Sequence, residues 1–102
     1  MSIKKQYFKN KSVCKVTFRL PKEAVGVADN VYLVGDFNNW DRFATPMKKL
    51  KNGHYSATVT LETAREYQFR YLIDGTKWEN DGHADKYVPS PHPYTDNSVL
   101  VV

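Results

Sequence analysis

Apolar and polar residues alternate with a period of two along most of this chain, the pattern of β-strands with one buried face. In Val13–Leu20, Cys14, Val16, Phe18 and Leu20 share one face while Lys15, Thr17 and Arg19 share the other. His54–Leu61 sets Tyr55, Ala57, Val59 and Leu61 inward against Ser56, Thr58 and Thr60. Glu66–Asp74 sets Tyr67, Phe69, Tyr71 and Ile73 inward against Gln68, Arg70 and Leu72. Asn30–Gly35 and Asn97–Val102 are more continuously apolar, which predicts strands covered on both sides or lying near an end. No segment keeps a helical period for three turns.

Turn chemistry separates these runs. Asn52-Gly53 predicts a hairpin between Met47–Leu50 and Tyr55–Leu61, and Asp74-Gly75 predicts another between Glu66–Ile73 and Lys77–Glu79. Gly35-Asp36 and Asn38-Asn39 end the Val31 strand in a loop. Pro89, Pro91 and Pro93 exclude a central strand and predict an extended segment before the last strand. Short strands with regular turns predict an all-β sandwich. One domain is expected from Val13 to Val102, with residues 1–12 a loose tail or an added edge strand.

Composition adds limits. The 102 residues fit one domain, and 41% hydrophobic with 25% charged residues is an ordinary globular balance. Seven Tyr and two Trp are more rings than a small core needs, so some are expected at the surface. The net charge of +4 comes largely from Lys4, Lys5, Lys9, Lys11, Lys48, Lys49 and Lys51, and such runs read as a solvated face. The lone Cys14 cannot form an internal disulfide, and no Cys/His spacing suggests zinc, so no cofactor is expected. No apolar run is long enough to span a bilayer, and the lysine-rich start lacks the apolar centre of a signal peptide. A soluble cytoplasmic protein is the expectation.

The candidate chemistry lies in Gly35-Asp36-Phe37-Asn38-Asn39-Trp40 and Asp74-Gly75-Thr76-Lys77-Trp78. Each puts a tryptophan in or just beyond a turn, where a large ring is poorly placed to fill a core. One such ring reads as a cap on the sandwich; two, beside amides and hydroxyls, point to a sugar site. A sugar has an apolar C–H face that a ring covers and a hydroxyl rim that polar side chains bond. Phe37 reads as inward packing that fixes Trp40, and Asp36, Asn38 and Asp74 as turn formers.

Val31–Trp40, then Tyr67–Gly75 with Trp78, then Thr95-Asp96-Asn97-Ser98-Val99, closely resemble the family 48 carbohydrate-binding modules, from about Val13 to the C-terminus. The resemblance implies an immunoglobulin-like, early-set sandwich of two antiparallel sheets that binds α-glucans such as glycogen or starch without catalysis. It implies Trp40 and Trp78 as stacking platforms. Arg70 stands where glucan-binding members carry a lysine, Asn97 matches the asparagine that bonds the glucan, and Thr95 a neighbouring threonine. Arg70 also falls on the outward parity of its strand, so it is expected to reach a surface ligand; the plain alternative is a strand arginine paired to a carboxylate. Three departures stand out. Compared with the family's glycogen-binding domain in the AMP-activated kinase β subunit, Pro93 falls near a loop leucine, Tyr94 follows where that domain has glycine, and Trp78 comes one residue late because Thr76-Lys77 lengthens the turn.

Glycosidase chemistry needs two carboxyl groups facing each other across a bond. Asp36, Asp41, Asp74, Glu79, Asp81 and Asp85 mostly sit beside turn signals, and His54, His83 and His92 have no nucleophile or metal spacing. No enzyme activity is expected. The rival class is a protein-interaction module serving a separately encoded glucan-metabolising enzyme. A nucleic-acid site, the least favoured partner, would need exposed rings lining a basic groove, and its binding would fall steeply with salt where neutral glucans barely respond.

Overall fold

The alternation in Val13–Leu20 becomes a strand in which Cys14, Val16, Phe18 and Leu20 are buried while Lys15 and Arg19 are exposed. It is β2 in the computed structural model, which describes residues 3–90 and 96–102. Strands β1 (Ile3–Tyr7), β2, β5 (Tyr55–Glu62) and β4 (Lys48–Lys49) form one antiparallel sheet in that order. The second sheet runs β3 (Val31–Gly35), β6 (Glu66–Ile73), β9 (Asp96–Val101) and β8 (Lys86–Pro89), and β7 (Lys77–Glu79) also pairs with β6. The two sheets pack as an immunoglobulin-like sandwich.

The inward rows meet as predicted. Phe18 of the first sheet stands edge-on to Phe69 of the second at 5.1 Å, and Phe69 meets Tyr71 at 5.8 Å. Phe37 closes one end against Phe18 at 5.6 Å. Edge-to-face rings add to the area they bury, so this ladder anchors sheet to sheet. Cys14 is buried and free. Outside, the first sheet presents Lys4, Lys15, Arg19 and Lys48 among Thr17, Ser56, Thr58 and Thr60. That face is polar apart from Val13 at one end.

Both hairpins form, by different turns. Asp74 and Gly75 each take positive φ, 52° and 72°, and Thr76 N–H donates to Ile73 O at 3.2 Å, the pattern of a type I′ turn. Asp74 Oδ1 also accepts from Asp29 and Asn30 N–H, tying this turn to the entry of β3. At Asn52-Gly53 only Gly53 has positive φ, and Leu50 N–H to His54 O closes a longer loop. Two elements have no counterpart in the periodicity. A single helical turn, α1 (Lys22–Val25), ends at Gly26, and β8 pairs with β9 where an extended segment was predicted. β8 lies on the sheet edge and stops at Pro89, whose missing N–H costs no ladder bond there. Pro91 and Pro93 lie outside the described residues. Among the described residues no helix is long and apolar enough to cross a membrane.

Candidate ligand-binding face

β6 carries the candidate site because its outward residues are Gln68, Arg70 and Leu72, the parity opposite Tyr67, Phe69, Tyr71 and Ile73. Directly opposite residues of an antiparallel pair share a face, so rows across the sheet follow from register. Tyr32, Leu72 and Trp78 form one row. Val34 and Arg70 form the next, and Gln68, Val99 and Lys86 the third. Val34, Leu72 and Val99 point away from the main core and are nevertheless buried. They make an apolar floor under the polar and aromatic residues of this face.

One edge of β6 is shared. β9 pairs with Glu66–Phe69 and β7 with Tyr71–Ile73, so the partner changes at Arg70. There the Arg70 Nε–H donates to Asn97 Oδ1 at 2.6 Å, and Asn97 Nδ2 donates to Gln68 Oε1 at 2.9 Å. A guanidinium can only donate, which fixes the orientation of both amides and leaves the Gln68 Nε2 hydrogens as donors at the end of the chain.

Arg70 is on the predicted outward face and is 6% exposed. Parity gives the side of a sheet and not what covers it. One hydrogen-bond partner here is the Asn97 amide, and the Asp96 carboxylate acts on it by charge. Burial lowers its pKa from the ordinary arginine value, against the opposing charge of Asp96.

Trp40 is held at the other end. The φ angles of Asn39 and Trp40 are both 57°, and Trp40 N–H donates to Gly35 O at 2.9 Å. Asp36 Oδ1 accepts the indole N–H at 2.8 Å while its Oδ2 accepts Gln68 N–H at 2.7 Å. Asn38 braces the loop from inside, accepting Gly35 N–H and donating to Leu33 O and Thr45 Oγ1. Gly35 itself is fixed by close approach: a Cβ there would lie 2.6 Å from Gln68 O and 2.7 Å from Phe69 Cβ. The turn residues of the motif therefore have structural work, and Phe37 packs inward as expected.

Trp78 is 36% exposed and lies opposite Leu72. From Gln68, where Trp40 is tied, to Leu72 the strand advances about 13 Å. Arg70 and Asn97 lie between. Thr95, Tyr94 and Pro93 lie outside the described residues. Sequence reasoning missed three contributors: Gln68, which ends the polar chain, and Arg42 and Phe43, which reach this face from the loop after Trp40. The available signal for the last was an aromatic residue in a segment without strand periodicity. Among the described residues no group of His, Cys, Asp and Glu could hold a metal ion.

A sandwich with one ring-bearing, hydrogen-bonded sheet face has the architecture of a ligand-binding module. The chain belongs to the carbohydrate-binding module 48 family (isoamylase N-terminal domain), whose family model matches residues 22–92. It is also similar to the 1,4-alpha-glucan branching enzyme GlgB of Aquifex aeolicus (strain VF5), at 42% identity over 57 residues. That match covers 53% of this chain and 9% of the relative, so the chain spans a small fraction of that protein's length.

Proposed function

We propose that this domain binds α-1,4-linked glucans (glycogen, starch and maltooligosaccharides) on the outer face of the second sheet, without chemical turnover, in the cytoplasm. Trp40 and Trp78 are the ring platforms, Arg70 and Asn97 bond the hydroxyl rim, and Thr95 is a neighbouring contact. The observation that carries this reading is the Arg70–Asn97–Gln68 chain lying between the two points of β6 at which the tryptophans are anchored. Family membership supports the ligand class, and the name of the similar branching enzyme supports a 1,4-linked glucan. The acidic residues support a binding role. Asp36, Asp74, Asp81 and Asp85 each accept structural hydrogen bonds, for instance Asp81 from Tyr71 OH and His83 N–H.

An open face must order a flexible sugar without enclosing it, so a Kd on the order of tens of micromolar to millimolar is expected. The test is maltoheptaose calorimetry and glycogen-gel retardation, with denaturant midpoints, on the wild type and three variants. Trp40→Ala and Trp78→Ala should each cost about 2 kcal/mol of binding, roughly thirtyfold, and little stability. Phe69→Ala should instead cost about 3–5 kcal/mol of stability. If the tryptophan variants unfold as badly as Phe69→Ala, the rings are structural caps. If they fold well and bind unchanged, the site lies elsewhere. Similarity to a segment of a protein named as a glucan branching enzyme motivates one second reading, docking to a separate glucan-metabolising enzyme. Absence of any glucan binding by the wild type would make it the better account.

A further inference from the structure

The segment Asp41–Ala44 sends two neighbouring side chains to opposite ends of the Tyr32–Leu72–Trp78 row. Phe43 stands edge-on to Tyr32, with ring centroids 5.5 Å apart and planes at 90°. The Arg42 guanidinium lies 5.7 Å from the Trp78 ring centroid. The loop is held for this: Asp41 Oδ1 accepts Phe43 N–H at 2.9 Å, and beyond it Pro46 bridges back to Tyr32. Phe43 contributes nothing to the main core, and it is 65% exposed. An exposed ring fixed by a second ring, at the margin of the face that bears Trp78, has the form of a platform rather than of packing.

Resting on the glucan reading, we propose that Phe43 is a third ring platform, on the β3 side of the sheet, which selects for longer chains. Tyr32 and Trp78 belong to strands two apart, about 10 Å, and Phe43 packs against Tyr32, at the end of the row away from Trp78. A short oligosaccharide seated on Trp78 does not reach it. A longer chain does, and a further sugar on a linked contact binds at raised effective concentration. Arg42 is a positioning residue. Its guanidinium over the Trp78 ring, a cation–π contact, fixes the ring's pitch toward the sugar.

The test measures maltotriose and maltoheptaose affinity on the wild type, Phe43→Ala, Phe43→Tyr, Arg42→Ala and Trp78→Ala, with denaturant midpoints alongside. Phe43→Ala should weaken maltoheptaose about five- to tenfold, leave maltotriose within about twofold, and keep its midpoint; Phe43→Tyr should restore the preference for the longer chain. Arg42→Ala should weaken both sugars about equally and change the Trp78 fluorescence, read in a Trp40→Phe background. A Phe43→Ala protein that loses both sugars equally, or neither, overturns the third platform. Unchanged Trp78 emission in Arg42→Ala overturns the positioning role. If Trp78→Ala loses binding while these outcomes fail, the main site stands and only this extension falls. If the wild type binds neither sugar, the glucan reading itself has failed.

Discussion

Trp40 occupies a backbone region that an L-residue with a large side chain rarely adopts. The left-handed conformation costs about 1–2 kcal/mol away from glycine, and Asn39 beside it tolerates the same region far better than tryptophan does. The conformation persists because Gly35 O, the Asp36 carboxylate and the Asn38 amide fix the loop from three sides. A strained residue held by its neighbours usually has a role at that place. Trp40→Gly should therefore be more stable than Trp40→Ala by up to about 1 kcal/mol, since glycine relieves the strain that alanine keeps. Both should lose glucan affinity. Denaturant midpoints of the pair decide it, and an alanine variant equal to or above the glycine variant would show that the surroundings impose no strain.

At the scale of elements, the shared edge of β6 explains why Arg70 can be buried. Where β9 gives way to β7 the side chain turns to the Asn97 amide. Removing that acceptor by Asn97→Ala should cost about 1–3 kcal/mol of stability, because a buried charged donor loses a bond. Arg70→Met should leave stability within about 1 kcal/mol, since a packed apolar chain of similar length needs no partner, and should still weaken sugar binding. Stability and affinity measured on both variants separate the two roles. Much of this element was legible beforehand. The parity of β2, β5 and β6 follows from alternation alone, because one face of each meets the core. β8 was not legible as a strand, since Lys86-Tyr87-Val88-Pro89 has no alternating pattern and its pairing is dictated by β9. Arg70's burial and the reach of Arg42 and Phe43 depend on which loop crosses which row, and a pattern along one strand carries no such information.

Across the whole molecule, Lys5 of the first sheet meets Asp85, beside the second, at 2.8 Å, joining the edges of the sandwich. Burial pushes the Asp85 carboxyl up, but the Lys5 hydrogen bond, the Val101 N–H and the Lys5 charge together leave it below its ordinary 3.8. A depressed carboxylate stabilises fully above the unfolded value and loses its contribution as pH falls through the folded one. The half-exposed ion pair itself is worth less than about 1 kcal/mol. The stability advantage of wild type over Asp85→Asn should hold from neutral pH to about 5 and shrink below the unfolded carboxylate range. Acid titration of denaturant midpoints checks the direction, and an advantage that grows on acidification would refute it. This clamp is remote from the Asp36 carboxylate, which joins the Trp40 indole to a single backbone amide, that of Gln68. That amide is protected by the loop's own Asp36 side chain and not by a neighbouring strand on that side. Its exchange with deuterium should consequently keep time with the opening of the loop alone, slowing when sugar is bound while amides along β1 stay unchanged.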